Sequence, residues 1–541
     1  MQRLLADRAD LEERVNLLDP EAVSHAAQLA VTECGQWPAV RDVLLRARDQ
    51  KRPTLIYGDY DVDGVVATFM LHRWLRAHEV PGNVFLPSRM VHGYGLNREV
   101  LGQAIEHGYR TLIAVDCGTA NLAELEYATG AGLDLAVLDH HEPKSTLPPV
   151  PVLNAHLESS LPPYCSAGLV GAVLDVMRTE SGEAAEADEA ELMALATIAD
   201  VVPLVPQNWA LAHHGLRALP ETANLGLAEL IKVASLHGLT RLTARQASFN
   251  LVPRLNAVGR MQSPRLMFDL LAAEDEQDAR ERALQHDRLN DERRQTADQV
   301  TRAALLQSTN HGDAAGLVLY GADWHIGVLG IAAARVAEQL GRPAVVLADA
   351  PHADGLLSGS ARSAAGHNVV AAFEHCAGVL ESFGGHALAA GVKLEFGQLE
   401  AFRSCFASAI REGQTPGQEP APALASVSIG EFTEQFEGDV WSLAPFGLGH
   451  AAPRCLLTGC RVERASYMGR DKTHLNLLVS DGQRQIRIAG FNQSHLLHQL
   501  SPGQPVLPAV EILPDNWNNR CSIMLRLLGL KDHAAPGSNQ Q

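Results

Sequence analysis

The alternation of short apolar runs with amphipathic stretches between residues 54 and 138 restricts the fold more than any other feature of the chain. Strand-like runs at 54–58, 83–86, 111–115 and 134–138 are separated by helix-like stretches at 64–78, 97–107 and 120–130. Repetition of this kind produces a parallel sheet covered by helices, an α/β domain. Ligands of such sheets collect at the carboxyl ends of the strands, and those ends carry the unusual residues here. TLIY is followed by Gly58-Asp59-Tyr60-Asp61-Val62-Asp63-Gly64, TLIAV by Asp116-Cys117-Gly118, and DLAVL by Asp139-His140-His141-Glu142-Pro143. A helical run at 189–199 ends in Asp200-Val201-Val202-Pro203.

An Asp after a strand is commonly just a helix N-cap, and adjacent histidines such as His213-His214 are assigned no role. Three acid-bearing strand ends in one sheet are a different matter. The D-x-D-x-D-G pattern from Asp59 resembles the opening of a calcium loop, but position twelve, where a bidentate Glu belongs, is Met70. Carboxylates mixed with neutral imidazole suit Mn²⁺, Zn²⁺ or Fe²⁺ better than Ca²⁺. Asp59, Asp61, Asp63, Asp116, His140, His141 and Asp200 are too many ligands for one ion. Two ions sharing a carboxylate fit the count, at the ~3.5–4 Å separation of two-metal phosphoesterases.

The length of 541 residues suggests roughly three domains. A formal charge of −19 opposes a general nucleic-acid-coating role and leaves room for a focused basic track. The eight cysteines show no CxxC spacing, so the expectation is buried free thiols, with neither a zinc site nor a disulfide framework. No signal-peptide core and no apolar run of the ~18 residues a membrane span needs are visible. A cytoplasmic protein without membrane contact is expected.

DYDVDG, VDCG, LDHHEP and ATIADVVPL resemble the four motifs of the DHH phosphoesterase superfamily. PSRMVHGYGLN (87–97) and FNLVPRLNAVGRM (249–261) are similar to the RecJ single-strand-specific exonucleases in particular. So are the stretches 324–343, 357-LSGSARS-363 and 383-FGGHALAAG-391, which look like the DHH-associated domain. The resemblance implies that Asp59, Asp61, Asp63, Asp116, His140 and Asp200 hold two ions, Mn²⁺ or Mg²⁺, with Asp116 bridging. It implies that His141 touches the scissile phosphate or its nucleophile, with Asp139 orienting a histidine. Arg89, Arg254, Ser360 and Arg362 then grip the 5′ end and backbone of the DNA. Gly384 and Gly385 permit close backbone approach, so that amides and His386 reach phosphate.

The implied organisation is a helical lead (1–50), a parallel-sheet catalytic domain (51–270), long charged connecting helices (271–310) expected to be a solvated spacer, and a second α/β domain (311–411). A Pro/Gly-rich linker (412–423) leads to a small β-barrel of the OB type (424–541). Residues 441–541 hold ten Lys or Arg against six Asp or Glu. That basic excess suits single-stranded nucleic acid, with Tyr467, Phe491 and Trp517 as stacking platforms or core residues. The family pattern varies at Asn154-Ala155-His156, at Pro162-Pro163-Tyr164-Cys165 and at Gly449-His450-Ala451-Ala452-Pro453, and no proposed ligand is lost. The activity expected is 5′→3′ degradation of single-stranded DNA to mononucleotides in recombination and repair, with a single-strand-binding protein and a helicase as partners. The alternatives are an oligoribonuclease or cyclic-dinucleotide phosphodiesterase, which needs no basic third domain, and a non-catalytic scaffold, which needs no acids.

Overall fold

Strand β1 (Thr54–Tyr57) is buried along its whole length, as an apolar run with no polar alternation must be in a sheet covered on both faces. The computed structural model describes residues 10–413 and 424–531, except Met90, Tyr94, Ser145, His352, Arg470, Asn518, Asn519 and the side chain of Trp517. The expected linker thus lies almost entirely outside the described residues, and so does the expected role of Trp517.

With β2 (Gly82–Phe85), β3 (Thr111–Val115), β4 (Asp134–Leu138) and β5 (Val152–Leu153), β1 forms an all-parallel sheet of order β2-β1-β3-β4-β5. The two-residue period of the strands divides its core. Ile56, Ile113 and Val115 face the helices Trp37–Asp49, Val62–Ala77 and Ser166–Ser181, while Leu55, Tyr57 and Leu112 face Arg98–Glu106 and Leu122–Gly130.

A single helix of 33 residues, Glu276–Ser308, follows; at 1.5 Å per residue it is about 50 Å long. The expectation of a solvated spacer needs correction. Ala279, Ala283, His286 and Asn290 form a buried stripe, and this half of the helix packs on Leu225–Val233 and Val252–Met261. Ala297 and Val300 continue the stripe against Val328, Leu329 and Ala332 of the next domain. Small residues at helical spacing were hidden among the charges.

The second sheet runs β6 (Leu317–Tyr320), β7 (Ala344–Asp349), β8 (Leu356–Arg362), β10 (Ala389–Glu395), β9 (Ser382–His386), parallel only between β6 and β7. The C-terminal sheet comprises β11 (Ala425–Ser428), β12 (Arg454–Thr458), β13 (Cys460–Met468), β14 (His474–Ser480), β15 (Gln485–Gly490), β16 (Pro505–Trp517) and β17 (Arg520–Lys531). β13, β14, β15, β17 and β16 pair in turn, and β16 returns to β13, closing the barrel. This barrel is docked on the first domain: Trp209 Nε1 donates to the Leu443 carbonyl (3.0 Å), His213 Nδ1 lies 2.6 Å from that of Ala444, and the Leu204 amide donates to Leu448.

The cysteines depart from expectation at three positions. Cys376 and Cys405, with Cα atoms 5.9 Å apart, form a disulfide, and Cys521 is exposed. The pairing arises where the helix Val369–His375 packs on Leu399–Glu412, a tertiary contact that sequence spacing does not announce. Among the described residues no helix is long and apolar enough to cross a membrane.

Candidate metal centre

Asp61 is the N-cap of the helix Val62–Ala77, its Oδ1 accepting the amides of Asp63 (3.0 Å) and Gly64 (3.2 Å). One carboxylate oxygen is thereby consumed by capping and the other is left for a ligand. Gly64 is obligatory for the approach of this helix to the strand end, because a Cβ there would stand 2.6 Å from the Asp59 amide nitrogen. Asp63 reaches across to the start of the helix Ser166–Ser181, accepting the amides of Ser166 (2.6 Å) and Ala167 (2.7 Å). Ser166 Oγ in turn donates to Asp116 Oδ1 (3.0 Å).

Asp116 follows β3 with φ +61°, and Val201, immediately after Asp200, has φ +58°. Left-handed backbone is costly for a non-glycine residue and most of all for a β-branched one, and such strain concentrates at functional sites. After β4, Asp139 Oδ1 accepts the amide of His140 (2.8 Å) and Nδ1 of His141 (2.8 Å), while Oδ2 accepts the Thr119 amide (3.0 Å). Asn154 keeps its place despite the altered tripeptide around it. It is fully buried and donates to the His141 carbonyl (2.9 Å) and Thr119 Oγ1 (3.1 Å).

These elements bring every proposed metal ligand into one pocket. His140 Nε2 lies 3.3 Å from Asp116 Oδ1, 3.5 Å from Asp200 Oδ2 and 3.7 Å from Asp63 Oδ2. Ligand atoms of three triads fall within 4.8 Å of one another: Asp59, Asp61 and Asp116; Asp63, His140 and Asp200; and Asp116, His140 and His141. Asp116 belongs to two of the three.

The electrostatics fit divalent cations. Burial, and then the neighbouring carboxylates, raise the acids: Asp116 and Asp59 stand well above the usual range, and Asp200 is pushed up to about 8. Among the described residues Asp59 Oδ1 is buried with no hydrogen-bond partner, an orphaned acceptor that a cation would satisfy. The histidines differ. Burial lowers His140 and keeps it a neutral ligand, whereas for His141 the opposing hydrogen bond and charge of Asp139 overcome burial and push it up to about 9.

The expected phosphate contacts are more dispersed. Arg89 lies over the Tyr60 ring (4.2 Å), its Nε buried without a hydrogen-bond partner among the described residues. It lines a cavity of about 390 Å³ between the first and second sheets, shared with Gly359, Gly384 and Lys393. Ser360 and Arg362 project from β8 towards Gly330, and burial followed by the charge of Arg89 lowers the Arg362 pKa. FGGH is the exposed edge strand β9, with Gly384, Gly385 and His386 accessible and Gly385 at φ +139°. Arg254 is turned elsewhere, to Asp287 Oδ1 (2.9 Å) and the Asn250 carbonyl (2.7 Å).

Two residues escaped sequence reasoning. Ser166 is invisible because its role depends on a helix start meeting two aspartates. Arg260, pushed down to about 9 by burial and then by Arg89 and Arg293, sits close enough to Tyr60 and Asp61 to feel their charge; an arginine inside a helical pattern carries no signal of that.

Family models match residues 53–197 (DHH family, N-terminal domain), 313–412 (DHHA1 domain) and 425–528 (RecJ OB domain). The chain is 31% identical over 484 residues to the single-stranded-DNA-specific exonuclease RecJ of Bacillus subtilis, covering 88% of this chain and 61% of that one. It is 30% identical over 468 residues to that of Haemophilus influenzae (82% and 81%) and 33% identical over 401 to that of Escherichia coli (69% of each). Among solved structures, RecJ in complex with Mn²⁺ from Thermus thermophilus superposes with a TM-score of 0.79 at 27% identity, covering 96% of this chain and 77% of that one. An exonuclease RecJ bound to manganese gives 0.61 at 30% identity, covering 74% and 97%. With matches to the DHH, DHHA1 and RecJ OB models and identity of this level over most of its length, the chain belongs to the RecJ family of single-stranded-DNA-specific exonucleases.

Proposed function

We propose that the chain degrades single-stranded DNA from the 5′ end to mononucleotides, using two divalent cations, Mn²⁺ or Mg²⁺. The observation that carries this is the position of Asp116, which shares one triad with Asp59 and Asp61 and has its Oδ1 3.3 Å from Nε2 of His140, a member of the triad with Asp63 and Asp200. Asp59, Asp61 and Asp116 would hold one cation, and Asp63, Asp116, His140 and Asp200 the other. Bound there, the pair supplies Lewis acidity to activate water and to neutralise charge on the phosphoryl group and leaving oxygen.

The chain's own groups do the rest. His141, protonated and fixed by Asp139, donates a hydrogen bond to a phosphoryl oxygen of the scissile group and stabilises its growing charge. Arg89, Arg362 and Ser360 take the terminal phosphate, with Gly384, Gly385 and His386 offering contacts from the edge strand; Arg260 feels the charge of Asp61 and adds to the cationic side of the site. Arg254 grips backbone only if its pair with Asp287 opens. The barrel docked beside Trp209 and His213 gives a long strand further surface, which a dinucleotide does not require. Work in recombination and repair, in the cytoplasm where the DNA lies, with a helicase and a single-strand-binding protein presenting the strand, completes the reading.

Single-stranded DNA labelled at either end, incubated with the protein and Mn²⁺ or Mg²⁺, tests it. Mononucleotides should leave from the 5′ terminus, with blunt duplex resistant. Rapid turnover of dinucleotides with long DNA untouched would replace this reading by the oligoribonuclease one.

A further inference from the structure

The helical run from Ala244 to Met261 is interrupted at Ala247–Leu251 by five residues of π-helix. Such wide turns are rare, arise as insertions within α-helices and are frequent at functional sites. This one presents Phe249 to solvent. The ring is 73% exposed, against 53% for Phe396 and 44% for Tyr467. One turn earlier, the Arg245 guanidinium lies 6.0 Å from the centroid of Phe249 and 4.9 Å from that of Phe491, which follows β15 in the barrel. His474 meets Phe491 edge-on at 5.4 Å. Beyond it, Asn476 accepts from Arg487 Nε (2.6 Å).

Rings and cations thus form a strip that crosses the seam between the first domain and the barrel. The seam is held in register by Asn516, which donates to the Arg241 carbonyl (2.7 Å) and to Gln246 Oε1 (3.1 Å). No residue in the strip supplies a carboxylate, and among the described residues neither Arg245 nor Arg487 forms an ion pair. One exposed ring and one half-buried ring, interleaved with guanidinium groups that no carboxylate neutralises, match one kind of occupant, a polyanion with accessible planar bases. A duplex hides its base faces and does not qualify.

The same helix leads to the metal centre: at Gly259 it packs so closely on the Tyr60 carbonyl that a Cβ would stand 2.8 Å away. Ten residues of helix separate Phe249 from Gly259, about 15 Å. We infer that Phe249 is a platform on which one nucleobase of the incoming single strand stacks, with Arg245 and Phe491 carrying the strand onward to the barrel. The inference rests on the single-strand reading proposed above.

The test uses the full chain in EDTA, so that nothing is cut, and a single-stranded oligodeoxynucleotide carrying 2-aminopurine at successive positions from its 5′ end. One position should be quenched in the wild type and not in Phe249→Ala, and that variant should bind about tenfold more weakly. Phe249→Trp should keep both affinity and quenching. An abasic nucleotide at the quenched position should weaken the wild type and have no further effect on Phe249→Ala. Phe249→Leu, which retains an apolar side chain without a ring, should behave as Phe249→Ala and serves if the latter folds poorly. Wild-type affinity in either variant, or an abasic penalty that persists in it, overturns the platform while leaving the exonuclease reading intact. Failure of the wild-type chain itself to bind single strands overturns that reading instead.

Discussion

His141 Nδ1 stands 2.8 Å from Asp139 Oδ1, and Asp139 is buried with only 1% of its surface exposed. The pair fixes the direction of the imidazole and favours its protonated form. Asp139→Asn keeps the shape but removes the charge that holds the proton on His141. Activity on single-stranded DNA should fall by ~10–100-fold, the usual cost of losing an orienting partner, with the circular-dichroism spectrum unchanged. A fully active variant would show that the orientation of His141 is immaterial.

Asp116 is predicted to link catalysis to cation-dependent stability. Mn²⁺ at about 100 times its dissociation constant should stabilise the wild type by about 2.7 kcal/mol for each site filled, and EDTA should reverse the shift in Tm. Asp116→Ala should lose both nuclease activity and most of that shift. Its Tm in EDTA should not fall, because the substitution relieves crowding among Asp63, Asp61 and Asp59.

The docking of the barrel should weaken in acid. Burial pushes His213 down to about 4, against the hydrogen bond to Ala444. The folded state therefore favours neutral imidazole, so its contribution is complete above pH 6.5 and lost as pH falls towards 4. The displacement corresponds to about 3 kcal/mol. Urea unfolding between pH 7 and 4 should show this slope, and His213→Gln should flatten it; an equal slope in the variant would assign the effect to other groups.

Val201 is 63% exposed and left-handed at φ +58°. Asn tolerates that region where Val does not, so Val201→Asn should raise stability by about 1 kcal/mol. The measurement is the denaturation midpoint in EDTA, and a lowered midpoint would mean that the valine side chain makes a contact worth more than its strain.

What could be seen in the sequence follows a physical division. β1, β3 and β4 were legible because strands buried on both faces must be continuously apolar, and the acids stood out at their ends because nothing local requires them there. The helix Glu189–Ala199 was legible from composition, and Asp200 from its position at the end. Ser166 and Arg260 were not, since each acts through a neighbour more than 40 residues distant in sequence: Ser166 through its hydrogen bond to Asp116, Arg260 through the charges of Tyr60 and Asp61. The Asp287 partner of Arg254 and the Cys376–Cys405 bond, 33 and 29 residues apart in the chain, were hidden likewise, because helix packing makes both pairs. Local pattern reports which side chains are out of place, and tertiary packing decides what they meet.

The helix Glu276–Ser308 is seated on the first domain by one end of its stripe and on the second by the other. A continuous α-helix is stiff, so it acts as the fixed jaw of a caliper whose opening lies between the two sheets. Widening that gap requires peeling Ala297 and Val300 from Val328 and Leu329, or bending the rod. The spacing of the two sheets is therefore tied to the seating of one rod on both of them.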